Sequence, residues 1–327
     1  MKKQYLAALA LASGFGLLTA VPTAAAQDSP PGPPLDVPVS ELEHALSCNV
    51  PLAGITRDPV LLTPAFSTAE QSFGWNYLRN LPARGIPTCS ITVPDHGYGD
   101  LQNAAEYVVY AVRKMSAQSG RKVAVVGHQH GPLDELWAIK FWPDIPGLVS
   151  TFVSLATPYH GTEEAATACG ASHFCPPSVW QISTGSNFLK ALDSRPLPAG
   201  PGYTSISTLF DELIVPQPYA SDLPGGTHIV LQDICRLRPI EHFTILADNL
   251  SYLLVLDALA HPGLPADPAH ISPWVCFGPL YQPGVLSPLE LPRELIDAAG
   301  AITGAFTHVG PDGVHAEPAL RSYAAAP

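Results

Sequence analysis

The sequence predicts an α/β fold built on a mostly parallel central sheet with helices on both faces. Short apolar runs alternate along the chain with segments whose apolar residues recur at helical spacing, which is the pattern of a parallel sheet. The run at 123–126 is apolar without alternation, as expected of a strand covered on both faces. A tight glycine-flanked turn follows this run and leads directly into a helical pattern.

The predicted strands at 123–126 and 148–156 are apolar runs, and a proline ends the buried strand at 58–64. Residues 104–115 predict a helix because Tyr107, Val108, Ala111 and Val112 recur three or four positions apart. The crossover connections should be right-handed. In chain order, strands are predicted at 58–64, 88–93, 123–126, 148–156, 203–209 and 227–235, and helices at 38–46, 73–85, 104–115, from 132 onward and at 244–260.

Residues 163–192 interrupt this alternation. They contain Cys169 and Cys175 together with prolines and the aromatic residues Trp180 and Phe188. We expect an irregular cap or lid that is inserted over the sheet. A bridge between the two cysteines would close only a small loop and would stiffen the cap locally.

The first 26 residues have the pattern of a secretory signal peptide. Lys2 and Lys3 precede an apolar run at 5–21, and three alanines at 24–26 form the cleavage region. A membrane-anchoring helix is the weaker alternative, because glycines and a proline interrupt this short run. We therefore expect a secreted, extracellular protein.

The rest of the chain predicts a single domain. Residues 27–37 are Pro-rich and predict an extended leader, and residues 38–327 predict one α/β domain that contains the cap insertion. This length is enough for one sizeable core. No later stretch has the length and apolarity of a transmembrane segment.

Charge excludes nucleic acid as a partner. The formal net charge is −12, and removal of a signal peptide with two lysines leaves 14 basic against 28 acidic residues, or about −14. Such a chain cannot neutralise phosphates. Only 13% of the residues are charged, which suits a protein that acts near apolar material such as a lipid surface, and equally suits an ordinary secreted domain.

Six cysteines in an exported chain predict disulfides rather than thiols. Six cysteines allow 15 complete pairings, and spacing alone does not select one of them. A zinc site is the alternative, but no pair of these cysteines has the spacing of a zinc finger.

The turn after the third predicted strand carries the most informative motif. Gly127 and Gly131 bracket three residues, which is the frame of the G-x-S-x-G nucleophile elbow of α/β-hydrolases. The central residue is Gln129. A side-chain amide cannot be deprotonated near neutral pH to attack a carbonyl, so the elbow lacks the reagent of a serine hydrolase.

An acid and a histidine follow the elbow in the order that α/β-hydrolases use. Asp211 comes just after the strand at 203–209, and His242 follows the last predicted strand. The loop at 64–68 follows the first predicted strand, where such enzymes place an oxyanion-binding amide. The alternative is structural, because a hydrogen bond between histidine and carboxylate can simply hold two loops together.

Several longer motifs carry a resemblance to a known family. They are Pro59-Val-Leu-Leu-Thr-Pro64, Phe141-Trp-Pro143, Tyr159-His-Gly-Thr162, Pro177-Ser-Val-Trp-Gln-Ile-Ser-Thr-Gly-Ser186, and Asp211-Glu212 followed by Val215-Pro-Gln-Pro218. With these motifs the chain resembles the family of Candida antarctica lipase B and its bacterial relatives. The resemblance implies an α/β-hydrolase fold with a cap.

The resemblance also assigns roles to individual residues. It implies that Asp211 is the acid, that His242 is the base and that Gln129 stands at the nucleophile position. The retained motif with Trp180 and Gln181 implies an apolar pocket for an acyl chain or a similar ligand. It further implies the disulfides Cys48–Cys89 and Cys235–Cys276, with Cys169–Cys175 as an addition in the cap.

Three departures from the family fall on the chemistry. Gln129 replaces the nucleophile serine, and His130 replaces the glutamine that supplies one oxyanion amide. Ala65-Phe66-Ser67 replaces the Gly-Thr-Gly of the other oxyanion loop. A bulky phenylalanine where a hydroxyl would help hold the oxyanion disfavours serine-type acyl transfer further.

These observations predict a secreted lipase-like protein that binds a small apolar or acyl-ester ligand and lacks standard serine-hydrolase activity. The alternative is an enzyme with serine-independent chemistry, in which His242 oriented by Asp211 acts as general base. A third interpretation, ordinary hydrolysis with a misaligned elbow, is disfavoured by the clean strand and helix around Gln129. A substitute nucleophile such as Ser67 or Ser154 would have to reach His242.

We expect no metal and no other cofactor. His128 and His130 flank Gln129, and with His242 or His160 they could gather a metal ion. The simpler interpretation is that His128 is the second residue of the elbow and that His130 caps the following helix.

Overall fold

A computed structural model describes residues 32–285 and 313–325 of the chain. The predicted signal peptide and residues 27–31 of the leader lie outside these ranges. Within these ranges, seven strands form one sheet: β1 Leu46–Cys48, β2 Val60–Thr63, β3 Thr88–Ile91, β4 Val123–His128, β5 Val149–Leu155, β6 Gly202–Ser207 and β7 Thr227–Val230.

The strand order is β1-β3-β2-β4-β5-β6-β7. Only β1 is antiparallel to its neighbour, and all other adjacent strands are parallel. The predicted α/β fold with a mostly parallel sheet is therefore confirmed. The helices in the described ranges are α1 Val39–Ala45, α2 Ala69–Phe73, α3 Tyr77–Asn80, α4 Leu101–Ser119, α5 Gly131–Phe141, α6 Ile145–Leu148, α7 Glu163–Ser172, α8 Pro177–Gln181, α9 Asn187–Asp193, α10 Leu231–Ile234 and α11 Asn249–Ala260.

The core lies on both faces of the sheet, as the unbroken apolar strands predicted. Leu61 of β2 belongs to one buried cluster, which includes residues of α4 and α5. Its neighbours Val60 and Leu62 belong to the other, which includes residues of α11. Successive residues of a strand point to opposite faces, so both faces are covered.

All three disulfides implied by the resemblance are present. They are Cys48–Cys89, Cys169–Cys175 and Cys235–Cys276. Cys48 and Cys89 are also register partners across β1 and β3. The sequence predicted only a helix at 38–46 and missed β1. The strand depends on long-range contacts, namely the disulfide and the pairing with β3, which a local pattern does not reveal.

Two predicted helices are broken in the structure. The segment at 73–85 is divided into α2, α3 and a 3₁₀ turn at Pro82–Arg84, because the side chain of Asn76 caps α3 and Pro82 begins the turn. The segment at 244–260 divides at Asp248, whose carboxylate accepts the backbone N–H of Ser251 and caps α11.

The last predicted strand is shorter than expected. It ends at Val230, and residues 231–234 form α10 instead of extending the strand to 235. A short apolar run does not distinguish a strand from a buried helical turn. The Gln232 side chain of this turn accepts from the N–H of Leu209 and donates to Thr208 Oγ1, which ties α10 to the end of β6.

The predicted cap is helical rather than irregular. It contains α7, α8 and α9 and packs on the helical layer, where Phe188 stacks on Trp137 of α5 with ring centroids 4.4 Å apart. Glu317 accepts the backbone N–H groups of Asn187 and Phe188. The cap is therefore tied to the segment at 313–325.

The end of the predicted leader also packs on the domain. The carbonyl of Pro33 accepts the indole N–H of Trp142 at 2.8 Å, and Glu106 accepts the N–H of Val37 at 2.8 Å. Leu35 is partly buried against the core. The prediction of an unpacked leader is thus wrong for residues 33–37.

Within the described ranges, no helix has the length and apolarity needed to cross a membrane.

We predict that the buried ion pair between Arg238 and Asp248 stabilises the fold strongly. The two side chains are 3% and 0% exposed, and an Arg238 Nη2–H also donates to the carbonyl of Leu280 at 2.7 Å. Arg238→Met leaves a buried carboxylate without its partner and should lower the free energy of unfolding by about 3–5 kcal/mol. Urea unfolding measures this change.

The matched control is Arg113→Met. Arg113 pairs with Asp144, but these side chains are 36% and 29% exposed, so the loss should stay below about 1 kcal/mol. Equal losses in the two variants would contradict the prediction.

Candidate active site

The turn at 127–131 has the geometry of a strained elbow. Gln129 lies between β4 and α5 with φ +53°, a left-handed conformation that side chains other than glycine adopt rarely. Its backbone N–H donates to the carbonyl of Leu155 at 2.9 Å. Residues in such conformations cost about 1–3 kcal/mol and cluster at functional sites.

The two glycines of the elbow permit close packing. A Cβ at Gly131 would lie 2.4 Å from the carbonyl oxygen of Thr63, at the end of β2. A Cβ at Gly127 would lie 2.8 Å from the ring of Pro132. No side chain fits at either position without movement of the backbone or of the proline.

Asp211 and His242, the predicted acid and base, form a buried pair. His242 Nδ1 lies 2.9 and 3.0 Å from the two carboxylate oxygens of Asp211, and both side chains are fully buried. Asp211 Oδ1 also accepts the N–H groups of Leu213 and Ile214. Because a carboxylate accepts, Nδ1 carries a proton, and Nε2 of the neutral ring is then a free base.

The electrostatics of His242 suit that role. Burial by itself would lower its pKa, but the charge of Asp211 and the hydrogen bond to it raise the pKa above the ordinary 6.5. Among the described residues, Nε2 of His242 has no hydrogen-bond partner. Neither Ser67 nor Ser154 therefore reaches it: Ser67 Oγ lies 2.5 Å from Ser72 Oγ, and Ser154 Oγ donates to the carbonyl of Thr204.

The side chain of His128 forms a hydrogen bond with the backbone of His242, the predicted base. Its Nε2 lies 3.0 Å from the carbonyl oxygen of His242, which only accepts, so Nε2 bears the proton. The two rings are 4.8 Å apart between centroids. Burial lowers the pKa of His128 well below 6.5, so its ring is neutral.

A narrow cleft opens beside Gln129. Its cavity volume is about 30 Å³, which is space for little more than a water molecule. Phe66 narrows it, stacked on Tyr98 at 4.9 Å and edge-on to His130 at 4.5 Å between ring centroids. Half of the residues that line it are apolar and half are polar: Ala65, Phe66, Ser67, Gln71, Ser72, Trp75, His128, Gln129, Phe243 and Leu246.

Three titratable side chains of the elbow helix are buried without hydrogen-bond partners in the described chain: His130, Asp134 and Glu135. Burial lowers the pKa of His130 to about 3. Burial also raises the pKa of Asp134 and that of Glu135 well above their ordinary values. His130 Nδ1 and Asp134 Oδ2 are 3.9 Å apart, and burial disfavours the charged form of each group.

Trp180 and Gln181 are not brought to this cleft. The indole N–H of Trp180 donates to the carbonyl of Val314 at 3.0 Å. Gln181 accepts the N–H of Leu101 and donates to Asp100, the N-cap of α4. Both side chains therefore tie the cap to its neighbours.

Within the described ranges, His128, His130 and His242 do not form a group whose ligand atoms lie close enough together to hold a metal ion. His160, the other histidine considered, stacks on Tyr219 with ring centroids 4.2 Å apart.

Sequence reasoning missed several residues of the site. Phe243 follows His242 directly and could have been found from that position. Asp134 and Glu135 also carried a signal, since two adjacent acids stand in a helix whose only other charged residue is Lys140. Trp75 and Leu246 carried none, because only tertiary packing brings them to the cleft.

The sheet, the elbow and the buried Asp–His pair define a protein of the α/β-hydrolase class. The chain is 30% identical to lipase B of Pseudozyma antarctica over 236 residues, which cover 69% of each chain. It therefore belongs to the lipase B family, and the resemblance inferred from its motifs is confirmed. No protein-family model matches the chain.

Solved structures agree with this assignment. Lipase B of Aspergillus fumigatus has a TM-score of 0.81 and 25% identity, with 91% of this chain and 74% of that chain covered. The mature lipase BlEst2 of Bacillus licheniformis shares the fold, with a TM-score of 0.54, 17% identity and coverage of 65% and 97%.

We predict that the buried acid Asp134 makes stability fall as pH rises. The pKa of Asp134 in the folded protein lies above its value in the unfolded chain. Its contribution to the free energy of unfolding is therefore fully present below about pH 4, and it is lost as pH rises toward the raised pKa. Asp134→Asn keeps a neutral group of the same shape and should flatten this decline. Urea unfolding at several pH values measures the slope.

The control is Glu41→Gln on the exposed surface of α1, which should leave the slope unchanged. An Asp134→Asn profile that runs parallel to the wild type would contradict the prediction.

Proposed function

We propose that this chain is an exported lipase B-family protein that binds a small apolar or acyl-ester ligand at the elbow cleft and does not perform serine-type hydrolysis. The observation that carries the proposal is Gln129 in the strained left-handed position between β4 and α5. In this family's elbow that position is the nucleophile's, and an amide cannot fill that role.

The surroundings of the elbow support the loss of serine chemistry. The free Nε2 of His242 has no hydroxyl within hydrogen-bond distance in the described chain, so no serine there is activated by the base. Phe66 lies in the loop expected to hold the oxyanion and is packed between Tyr98 and His130. A fixed aromatic ring does not donate to a developing negative charge.

The cleft defines the ligand by size and polarity. Trp75, Phe243 and Leu246 give it apolar walls, and its cavity volume is about 30 Å³. This space takes little more than a methyl-sized group, so only the smallest acyl end enters it as it stands, and a longer acyl chain requires a lining side chain such as Phe66 to move. The ligand class is therefore a small apolar or short-chain ester molecule.

Two features support export and an extracellular location. All six cysteines are paired in disulfides, which persist in oxidising compartments. The signal-peptide pattern of residues 1–26 points the same way.

We expect Gln129→Ser to gain ester hydrolysis that the wild type lacks. A serine at this elbow would follow His128, whose ring packs 4.8 Å from the ring of His242, so we expect it to come within reach of a histidine already oriented by Asp211. Its hydrolysis of p-nitrophenyl acetate should exceed that of the Gln129→Ser/His242→Ala double variant by about 100-fold, the usual contribution of a general base. Longer p-nitrophenyl esters should react more slowly, because the cleft is narrow.

Gln129→Ala serves as the matched control and should remain inert. The wild type should show no labelling by a fluorophosphonate probe. Labelling of any wild-type serine would overturn the proposal.

A second candidate function is supported by the intact Asp211–His242 pair. In this alternative, Nε2 of His242 takes a proton from water as the water oxygen attacks the ester carbonyl carbon. The tetrahedral intermediate then expels the alcohol, which receives that proton, and a carboxylic acid remains. The buried, unpartnered Nε2 is the specific observation that favours this reaction.

General-base catalysis predicts slow hydrolysis by the wild type that falls about 100-fold in His242→Ala. The rate should rise with pH through the raised pKa of His242 and then level off, because only the unprotonated ring accepts a proton. Asp211→Asn removes the charge that raises this pKa, so the profile should move to lower pH. Wild-type activity unchanged in His242→Ala would contradict this mechanism.

A further inference from the structure

A second group of chemically active side chains lies at the end of α11. Asp257 belongs to that helix, His261 follows it directly, and His270 belongs to the 3₁₀ turn Pro268–His270. One ligand atom from each residue lies within 4.8 Å of the other two. None of the three residues lines the elbow cleft, so the group is separate from the site described above.

The spacing of these atoms is close to that of the ligands in a metal centre. Asp257 Oδ1 lies 2.8 Å from His270 Nδ1 and 3.3 Å from His261 Nδ1. Ligand atoms about 2.0–2.1 Å from a tetrahedral zinc ion are about 3.4 Å apart. Small side-chain rotations of two solvent-accessible imidazoles open the group to that separation.

The carboxylate is held in place for this role. Its side chain is only 8% exposed, and Oδ2 accepts the backbone N–H of Asp267 at 2.8 Å, which leaves Oδ1 toward both imidazoles. The carboxylate of Asp267 lies 3.8 Å from Nε2 of His270. A carboxylate behind a ligating imidazole is the usual outer partner of a metal-bound histidine.

The imidazoles are accessible from solvent. The side chains of His261 and His270 are 43% and 52% exposed, and their ring centroids are 5.0 Å apart. An ion can therefore enter and keep water in its remaining coordination positions. It would displace the proton of His270 and the hydrogen bond from His261 Nδ1 to the carbonyl of Asp257.

We propose that Asp257, His261 and His270 bind a divalent transition-metal ion of the zinc class. Two imidazoles and one carboxylate favour zinc, copper or nickel over calcium and magnesium, which prefer oxygen ligands. The ion joins the loop 261–270 to the end of α11. This proposal is independent of the proposed function. It differs from our sequence expectation of no metal, which considered only the cysteines and the histidines near the elbow.

The test is calorimetric titration of the purified protein with zinc chloride at neutral pH. We expect a single ion per chain, no heat with calcium chloride, and an increase of about 5 °C in Tm when free zinc is a hundredfold above Kd. His270→Asn should weaken zinc binding by more than about 100-fold. Asp267→Asn removes the outer carboxylate but keeps a side-chain oxygen that can still accept the N–H of Ala269 and cap the turn. It should weaken zinc binding by about 10- to 100-fold.

The matched control is His44→Asn, which removes an exposed histidine of α1 and should leave the affinity unchanged. Absence of zinc binding by the wild type would overturn the proposal. Equal affinity in the wild type and in the His261→Asn/His270→Asn double variant would overturn it as well, because the ion would then bind elsewhere.

Discussion

The close approach of chain segments at the elbow is the constraint on which the site depends. The start of α5 lies so near the end of β2 that a side chain at Gly131 would meet the carbonyl of Thr63. The chain must turn within the residues between β4 and α5, and Gln129 takes the left-handed conformation that permits this. The backbone thus projects residue 129 from the sheet whatever its side chain, so the elbow persists although its side chain is an amide.

The environments of the histidines around this elbow shift their pKa values in opposite directions. His130 is buried without a charged partner, and its pKa falls to about 3. His242 is equally buried, but the charge and the hydrogen bond of Asp211 raise its pKa. Environments that separate the pKa values of neighbouring groups assign them different roles. His130 is a neutral packing group against Phe66, whereas His242 has the properties of a base.

Long-range contacts hold His242 in this environment. The loop that carries it begins at the Cys235–Cys276 disulfide, and the pair of Arg238 with Asp248 fixes the entry to α11. His128 bonds the carbonyl of His242 itself. These contacts maintain the Asp–His geometry independently of residue 129, which is why an intact pair can coexist with a glutamine elbow.

The sequence alone determined the order of the six strands from β2 to β7 and of the main helices between them, the elbow turn and the acid-before-histidine order. These features follow from apolar spacing, glycine positions and residue order, which are local. The tertiary structure decided the rest. It pairs Asp248, the N-cap of α11, with Arg238, and it narrows the cleft because Phe66 stacks on Tyr98. It also turns Trp180 toward the segment at 313–325. Each outcome depends on a contact between residues far apart in the chain, and no local pattern specifies such a contact.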